Sequence, residues 1–276
     1  MILNISKGMG SGPTGLLRSF WLNRELIIQM TRREVVGRYR GSVMGLAWSF
    51  FNPILMLVVY TFVFSEVFQS RWVGQEGKGN FAILLFVGMI IHGLFSECAN
   101  RAPSLILSNV NYVKKVVFPL EVLPVVTLGA ALFHTAISVA VLLLAQLLIS
   151  GTLAPTAGFF VLLLIPLCMA TLGICWGLAA LGVYLRDVGQ IISVLTTVLL
   201  FLSPVLYPVS ALPSAYRPWL ALNPLTYIIE EGRNVLIFGL SPDWLAYAKA
   251  VAFGLVCAIA GFWLFQRMRK GFADVL

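Results

Sequence analysis

The chain has 276 residues, of which 59% are hydrophobic and only 11% are charged. Because soluble domains carry about a quarter charged residues, this composition excludes an ordinary soluble protein and predicts an all-α protein that crosses a membrane several times. The net charge of +8 does not indicate nucleic-acid binding, since the basic residues cluster at the ends of apolar runs, where they set membrane topology.

Two segments precede the first span. Residues 1–15 are rich in Gly and Ser and are predicted to be flexible. Residues 16–40 are predicted to form a cytoplasmic amphipathic helix that ends in a basic elbow at 31–40, because apolar side chains share one broad arc. This helix is either a topogenic flank lying in the membrane interface or a docking surface for a cytosolic partner.

The first predicted span covers residues 41–68. No ionisable side chain occurs from 41 to 65, and ~20 apolar residues are enough to cross a bilayer core. Asn52-Pro53 removes one helical hydrogen bond midway. Because the freed carbonyl needs a partner within the membrane, this span is expected to face protein or a pore.

Five further spans are predicted, at about 81–102, 122–149, 154–184, 190–206 and 244–266. With six spans both termini are cytoplasmic, and most of the 19 Lys and Arg residues lie on the cytoplasmic side, as the positive-inside rule requires. Glu97 and Arg101, near the end of the second span, can pair at i,i+4. The four cysteines lack CxxC spacing and are predicted to be small buried hydrophobes rather than disulfides or metal ligands.

Residues 207–240, between the last two spans, are predicted to form a re-entrant helical hairpin on the outer, periplasmic side. The segment is rich in proline, and its apolar runs are too short to cross a membrane. Asn223-Pro224 should break it into two half-length helices. Glu230 and Arg233 can pair at i,i+3, and with Glu231 they are expected to face water, because a charge at mid-bilayer costs about 2.5–3.5 kcal/mol.

The order of these segments resembles a known family. After the amphipathic helix come REVVGRYRGSVMGLAWSFFNPILMLVVYTFVFSEVF, KKVVFPLEVLP and NPLTYIIEEGRNVLIFG, which are similar to ABC-2 type permeases that export bacterial O-antigen, capsule or teichoic acid. The resemblance covers about 16–272. It implies a homodimeric channel in the bacterial inner membrane for a glycan carried on undecaprenyl diphosphate. Two cytosolic ATPase subunits would bind the ATP and Mg, so no cofactor is expected in this chain.

The resemblance also implies roles for particular segments. Residues 109–118 match the coupling helix that contacts the ATPase, with predicted contacts at Asn109, Tyr112, Lys114, Lys115 and Phe118. The interface helix and elbow supply Arg32, Arg33, Glu34, Arg38 and Tyr39. Three of its arginines (Arg32, Arg33 and Arg38) are expected to guide the lipid diphosphate, since guanidinium binds phosphate in bidentate fashion. The outer gate supplies Tyr207, Trp219, Tyr227, Glu230, Glu231 and Arg233.

Aromatic side chains of the first span are the predicted channel surface, because sugar rings stack on aromatic faces. Trp48, Phe51 and Phe62 fall on one helical face, and the roughly opposite face holds Phe50, Tyr60, Phe64 and Phe68. Candidate channel aromatics are therefore Trp48, Phe51, Tyr60 and Phe62. Ordinary contact with lipid is the alternative for each ring.

The sequence also bears on the energy source and leaves two other classes of function open. Gly10 and Gly15 have P-loop spacing, but Leu16-Leu17 stands where Lys-Ser/Thr is required, so ATP hydrolysis must come from a partner. An ABC-2 permease for drugs or small lipids is one alternative. An intramembrane polyprenyl-phosphate glycosyltransferase is another, although such chemistry requires clustered carboxylates and only Glu230-Glu231 is available.

Overall fold

The computed structural model describes residues 19–67, 80–113, 118–221 and 223–276. The predicted flexible segment 1–15, the predicted contacts Lys114 and Lys115 and the aromatic residue Phe68 lie outside these ranges. Over the described residues the chain is helical and has no strands, as the composition predicted.

The helices are numbered here in chain order. They are α1 Arg24–Arg38, α2 Trp48–Tyr60, α3 Asn80–Arg101, α4 Val110–Val113, α5 Val122–Ser150, α6 Phe160–Tyr184, α7 Val188–Leu202, α8 Arg217–Ala221, α9 Pro224–Arg233, α10 Trp244–Arg269 and α11 Phe272–Val275. Short π-helical segments follow α2 over Thr61–Val67 and α9 over Asn234–Phe238.

Within the described ranges, five helical segments are long and apolar enough to cross a membrane: Gly45–Phe64, Phe81–Ser104, Val122–Ser150, Ala157–Tyr184 and Trp244–Arg269. They coincide with five of the predicted spans and are candidate spans by length and composition. The remaining predicted span, 190–206, corresponds to α7, an apolar helix of 15 residues. At 1.5 Å per residue α7 is only ~22 Å long, so the six-span count stays a prediction.

Helix α3 is the centre of the bundle. It packs against α2, α5, α6, α7 and α9, and every residue from 81 to 87 is at most 8% exposed. In the most apolar stretch of the candidate span Phe81–Ser104, 78% of the residues are buried. In the corresponding stretch of Gly45–Phe64, only 17% of the residues are buried. The span that contains α2 therefore lies at the periphery and presents a broad apolar face.

Helices α6 and α10 pack unusually closely because glycines face the partner backbone. A Cβ atom on Gly173 would lie 2.1 Å from the Cys257 carbonyl oxygen, and one on Gly261 would lie 1.9 Å from the Gly173 carbonyl oxygen. No other residue type fits at such distances, and small residues at helix contacts are typical of membrane bundles. The two helices therefore pack backbone against backbone.

Helix α1 continues further than the apolar stripe indicated. It runs unbroken through Thr31 to Arg38, so the elbow predicted for 31–40 is misplaced. The chain turns after Arg38, where Gly41 and Gly45 adopt positive φ values of 86° and 50°. The physical reason is packing, since Thr31 rests on Gly129 of α5, where an added Cβ would lie 2.9 Å from the Thr31 hydroxyl oxygen.

Candidate functional site

Ion pairs fasten the C-terminal half of α1 to the end of α3. Arg38 pairs with Glu97, and Glu34 pairs with Arg101. The predicted contact between Glu97 and Arg101 is also present, at 3.9 Å, but each residue makes its shorter contact with α1. Burial alone would lower the pKa of Arg38, yet the hydrogen bond and charge of Glu97 raise its pKa overall. This four-residue network holds α1 against the bundle.

A cavity of about 280 Å³ lies beside this network, between α1, α2, α3 and α5. The Tyr39 hydroxyl reaches to 3.5 Å from Nδ1 of His134, and both side chains line the cavity. Ser49, Asn52 and Pro53 line it too. Pro53 has no N–H to donate to the Ser49 carbonyl one turn earlier, which is the helix defect that the sequence predicted. Because both residues line the cavity, this defect faces the protein interior.

The structure separates the three arginines expected to guide a diphosphate. Arg32 and Arg33 are exposed on α1, whereas the Arg38 guanidinium is engaged with Glu97. Arg38 is therefore a docking residue of α1 in this arrangement. The guiding role stays a prediction for all three arginines.

The described residues of the predicted coupling segment, 109–113 and 118, lie close together. The rings of Tyr112 and Phe118 stack with centroids 4.3 Å apart and planes 11° from parallel, and both are half-buried against an apolar cluster that includes Ile106 and Trp176. The Asn109 side chain donates to the Leu105 carbonyl at 2.9 Å. The stacked rings thus join the two described ends of the segment, while contact with an ATPase stays a prediction.

An ionic contact at the end of this segment was missed by sequence analysis. The carboxylate of Glu121, which is 2% exposed, accepts from Arg269 of α10 at 2.7 Å and from the Ser19 hydroxyl at 3.3 Å. Arg269 also donates to the Phe118 carbonyl at 3.2 Å. The Glu121 carbonyl in turn accepts from the Trp176 indole at 3.0 Å. Three distant parts of the chain therefore converge on the coupling segment.

The aromatic side chains of the first span divide largely as predicted. Trp48, Phe51 and Phe62 are 38%, 52% and 61% exposed, whereas Tyr60 packs against the core of the bundle. Phe50, which was grouped with Tyr60, is 48% exposed instead. The exposed face is wide, and its role as a channel surface stays a prediction.

The proline-rich segment contains two short helices, α8 and α9, separated at Asn223 as the sequence predicted. The Asn223 side chain caps α9 by accepting from the Leu225 amide at 3.0 Å, and Pro224 is the first residue of the helix. The same side chain donates to the buried Ser203 hydroxyl at 2.8 Å. Ser203 directly follows α7, so the break between α8 and α9 is tied to the end of α7.

The charged residues of this segment do not all face water, contrary to expectation. Arg233 is 1% exposed and Glu231 is 9% exposed. Arg233 pairs with Glu230 at 2.7 Å, as predicted, and it also donates to the carbonyls of Leu84 and Val205 at 3.0 and 2.9 Å. The prediction failed because these acceptors lie on other parts of the chain. Inside the protein they accept the hydrogen bonds that the guanidinium would otherwise donate to water.

The remaining gate residues have different surroundings. Trp219 is 71% exposed. Tyr227 is half-buried and donates to the Asp243 carbonyl at 3.2 Å, and Tyr207 donates to the Phe201 carbonyl at 2.9 Å. Burial raises the pKa of Glu231, which accepts from the Asp243 amide. These contacts connect the segment to α7 and α10, while gating stays a prediction.

Comparison with known proteins places these features in context. The sequence model of a family described as "ABC-2 type transporter" matches residues 25–237. The O-antigen export system permease protein RfbA of Myxococcus xanthus is 31% identical over 94% of this chain and 98% of its own length. The protein of the same name from Klebsiella pneumoniae is 24% identical, over 91% and 95%. The polysialic acid transport protein KpsM of Escherichia coli is also 24% identical, over 85% and 90%.

Proposed function

Because the chain belongs to the ABC-2 type transporter family, we propose that it is the membrane subunit of an exporter that moves a lipid-linked polysaccharide across the bacterial inner membrane. O-antigen on undecaprenyl diphosphate is the proposed cargo. The chain is a multi-pass transport permease and not itself an enzyme. Energy would come from two cytosolic ATPase subunits that bind ATP and Mg.

One observation supports this cargo above the others. The Myxococcus xanthus O-antigen permease aligns over 94% of this chain and 98% of its own length, so nearly the whole chain has a counterpart there. The Escherichia coli relative is named for polysialic acid, another polysaccharide. Because these relatives are named for the export or transport of polysaccharides, a glycan is favoured as the cargo over a drug or a small lipid.

The proposed channel lies between two copies of the chain. Its support is the exposed aromatic face of Trp48, Phe51 and Phe62 on the span with the least burial. Aromatic rings there would contact sugars, and their apolar contacts would tolerate different sugar sequences. The segment 207–240 would close the outer end as a re-entrant gate, supported by the break at Asn223 and the shortness of α8 and α9.

The test is co-expression of a tagged chain with the ATPase encoded beside it. We expect a subunit with Walker motifs to co-purify, and surface glycan to be restored in a strain that lacks its own O-antigen permease. A partner with a Walker-motif lysine replaced should still co-purify but leave the glycan inside the cell. Restored efflux of a small drug without any surface glycan would contradict the proposal.

A further inference from the structure

The residues that flank the predicted coupling segment, 109–118, contact the same pair of helices, α6 and α10. Before the segment, the Pro103 carbonyl lies against Gly182 of α6, where an added Cβ would be 2.1 Å from the carbonyl oxygen. After the segment, Glu121 is the last residue before α5 and is 2% exposed. The chain therefore leaves the bundle and returns to it beside this pair of helices.

Glu121 is held through both its side chain and its backbone. Its two carboxylate oxygens accept from different groups, one from the Arg269 guanidinium at 2.7 Å and the other from the Ser19 hydroxyl at 3.3 Å. Its backbone carbonyl accepts from the Trp176 indole at 3.0 Å. Because Arg269 belongs to α10 and Trp176 to α6, each helix of the pair supplies one donor.

The two donors stand on helices that are in close contact with each other. Trp176 is 1% exposed, and its ring meets that of Phe262 of α10 edge-on, with centroids 5.3 Å apart. The backbones of Gly173 and Gly261 touch within one turn of these rings. Packing of this density transmits displacement from one helix to the next. A movement imposed on Glu121 is therefore passed to both helices.

The first residues of the segment have only local hydrogen bonds in the described part of the chain. The side chains of Ser108 and Asn109 bond to groups no more than four positions earlier. At the other end, Arg269 also donates to the Phe118 carbonyl at 3.2 Å. A displacement of residues 109–113 therefore reaches α10 through Arg269.

We propose that Arg269 is a positioning residue for energy coupling. By pairing with Glu121 and donating to the Phe118 carbonyl, it holds the end of the coupling segment on α10, so that movement of an ATPase against the segment is passed to α6 and α10. A buried ion pair adds little net stability, and a positioning role accounts for its presence. The inference rests on the proposed function, because it requires an ATPase partner, and it adds the residue through which ATP hydrolysis acts on the bundle.

The test uses the whole complex, the tagged chain with the ATPase encoded beside it, in a strain that lacks its own O-antigen permease. Three quantities are measured for each variant: the ATPase that co-purifies, the rate of ATP hydrolysis by the purified complex, and the rate at which glycan appears on the cell surface. We expect Arg269→Gln to keep the first two and to lower the third about five- to tenfold. A merely structural role would lower all three together.

Matched variants separate the position of Arg269 from its charge. Arg267→Gln removes the same charge two residues earlier, but Arg267 lies over the Trp263 ring, 5.5 Å from its centroid, so export should be normal. Arg269→Lys keeps a cation for Glu121 and should recover part of the lost export. Trp176→Phe removes the indole donor and should lower export about threefold, whereas Trp263→Phe should not.

The outcomes separate this inference from the proposed function. Normal export for each ATP hydrolysed in Arg269→Gln would overturn the inference. Loss of the ATPase from that variant would also overturn it and assign Arg269 to partner binding or folding. If the unaltered chain recruits no subunit with Walker motifs, the proposed function itself fails.

Discussion

Two ionic contacts, Glu121–Arg269 and Glu230–Arg233, each bury one charged side chain completely or nearly so. Glu121 is 2% exposed and Arg233 is 1% exposed. A buried charge that loses its partner is strongly destabilising, whereas the intact pair gives little net stability. Each contact therefore matters mainly for the arrangement that it holds. Glu121–Arg269 holds α10 beside the end of the coupling segment, and Glu230–Arg233 helps to hold the start of α3 against α9.

The Glu121–Arg269 contact can be measured with a double-mutant cycle. Glu121→Gln and Arg269→Gln should each destabilise the protein by about 1–3 kcal/mol, and the double variant by less than their sum, because the two changes remove the same contact. Thermal unfolding in detergent is the measurement. Arg267→Gln, two residues earlier on α10, should be close to neutral. Strictly additive losses would show that the two side chains do not interact.

Arg233 is expected to tolerate no replacement, lysine included. Its guanidinium serves three acceptors through separate nitrogens, a geometry that an ammonium group does not reproduce. Arg233→Lys should cost about 2 kcal/mol or more, since carbonyls of Leu84 and Val205 lose charged donors. The control is Arg217→Gln on α8, because Arg217 is exposed and bonds only nearby carbonyls. Equal unfolding temperatures for the two variants would contradict the structural role of Arg233.

At the scale of elements, α6 and α10 are the most closely packed pair of helices in the part of the chain that the structure describes. Their glycines bring backbone against backbone, and α1 is held separately by ion pairs and by Thr31 on Gly129. Closely packed backbones have no room to slide without a clash, whereas ion pairs at a helix end can exchange partners. Movement during transport is thus expected at α1 and the coupling segment rather than between α6 and α10.

Two glycines of α6 offer a matched comparison. A Cβ on Gly173 would meet backbone atoms of α10 at 2.1 Å, while a Cβ on Gly177 would be 3.8 Å from the Leu264 side chain. Gly173→Ala should therefore cost about 1–3 kcal/mol through overpacking, and Gly177→Ala should be tolerated. Expression yield and thermal unfolding of the two variants provide the measurement. Loss of stability in Gly177→Ala alone would contradict the packing described for α6 and α10.

The coupling segment gives a functional prediction at the same scale. Tyr112→Ala combined with Phe118→Ala removes the stacked rings that join the two described ends of the segment. We expect the ATPase to be released, or its hydrolysis to lose its connection to export, while the permease remains inserted. Gel filtration in detergent controls for folding, since both rings also contact the apolar cluster below. Normal co-purification together with normal export would refute the assignment.

The sequence predicted the long helices because span length and apolar composition depend only on neighbouring residues. It could not predict which charges meet, since Arg269 and Glu121 are 148 positions apart and Arg233 and Leu84 are 149 apart. Arg269 resembled a simple topogenic cation for this reason. The Glu230–Arg233 pair was predictable because it is local, but its burial depends on carbonyls that only the fold brings near.

At the scale of the whole molecule, the six-span prediction assigns each loop to one side of the membrane. Single cysteines at Ser210 and Ser241, in a background without the four native cysteines, address it directly, because both positions are exposed. We expect a membrane-impermeant thiol reagent to label both from the periplasm. If one position reacts only from the cytoplasm, residues 207–240 cross the membrane and the six-span topology fails.

The shortness of α7 has a consequence for the surrounding lipid. Its ~22 Å falls about 8 Å short of a ~30 Å hydrocarbon core, and its outward residues Val194, Phe201 and Leu202 are 57%, 59% and 60% exposed. If α7 crosses the membrane as the sequence predicts, the bilayer beside this face has to thin locally, at a cost of fractions of a kcal/mol for each Å, or a few kcal/mol in all. A second copy covering the face would relieve that deformation, so hydrophobic mismatch at α7 would favour self-association.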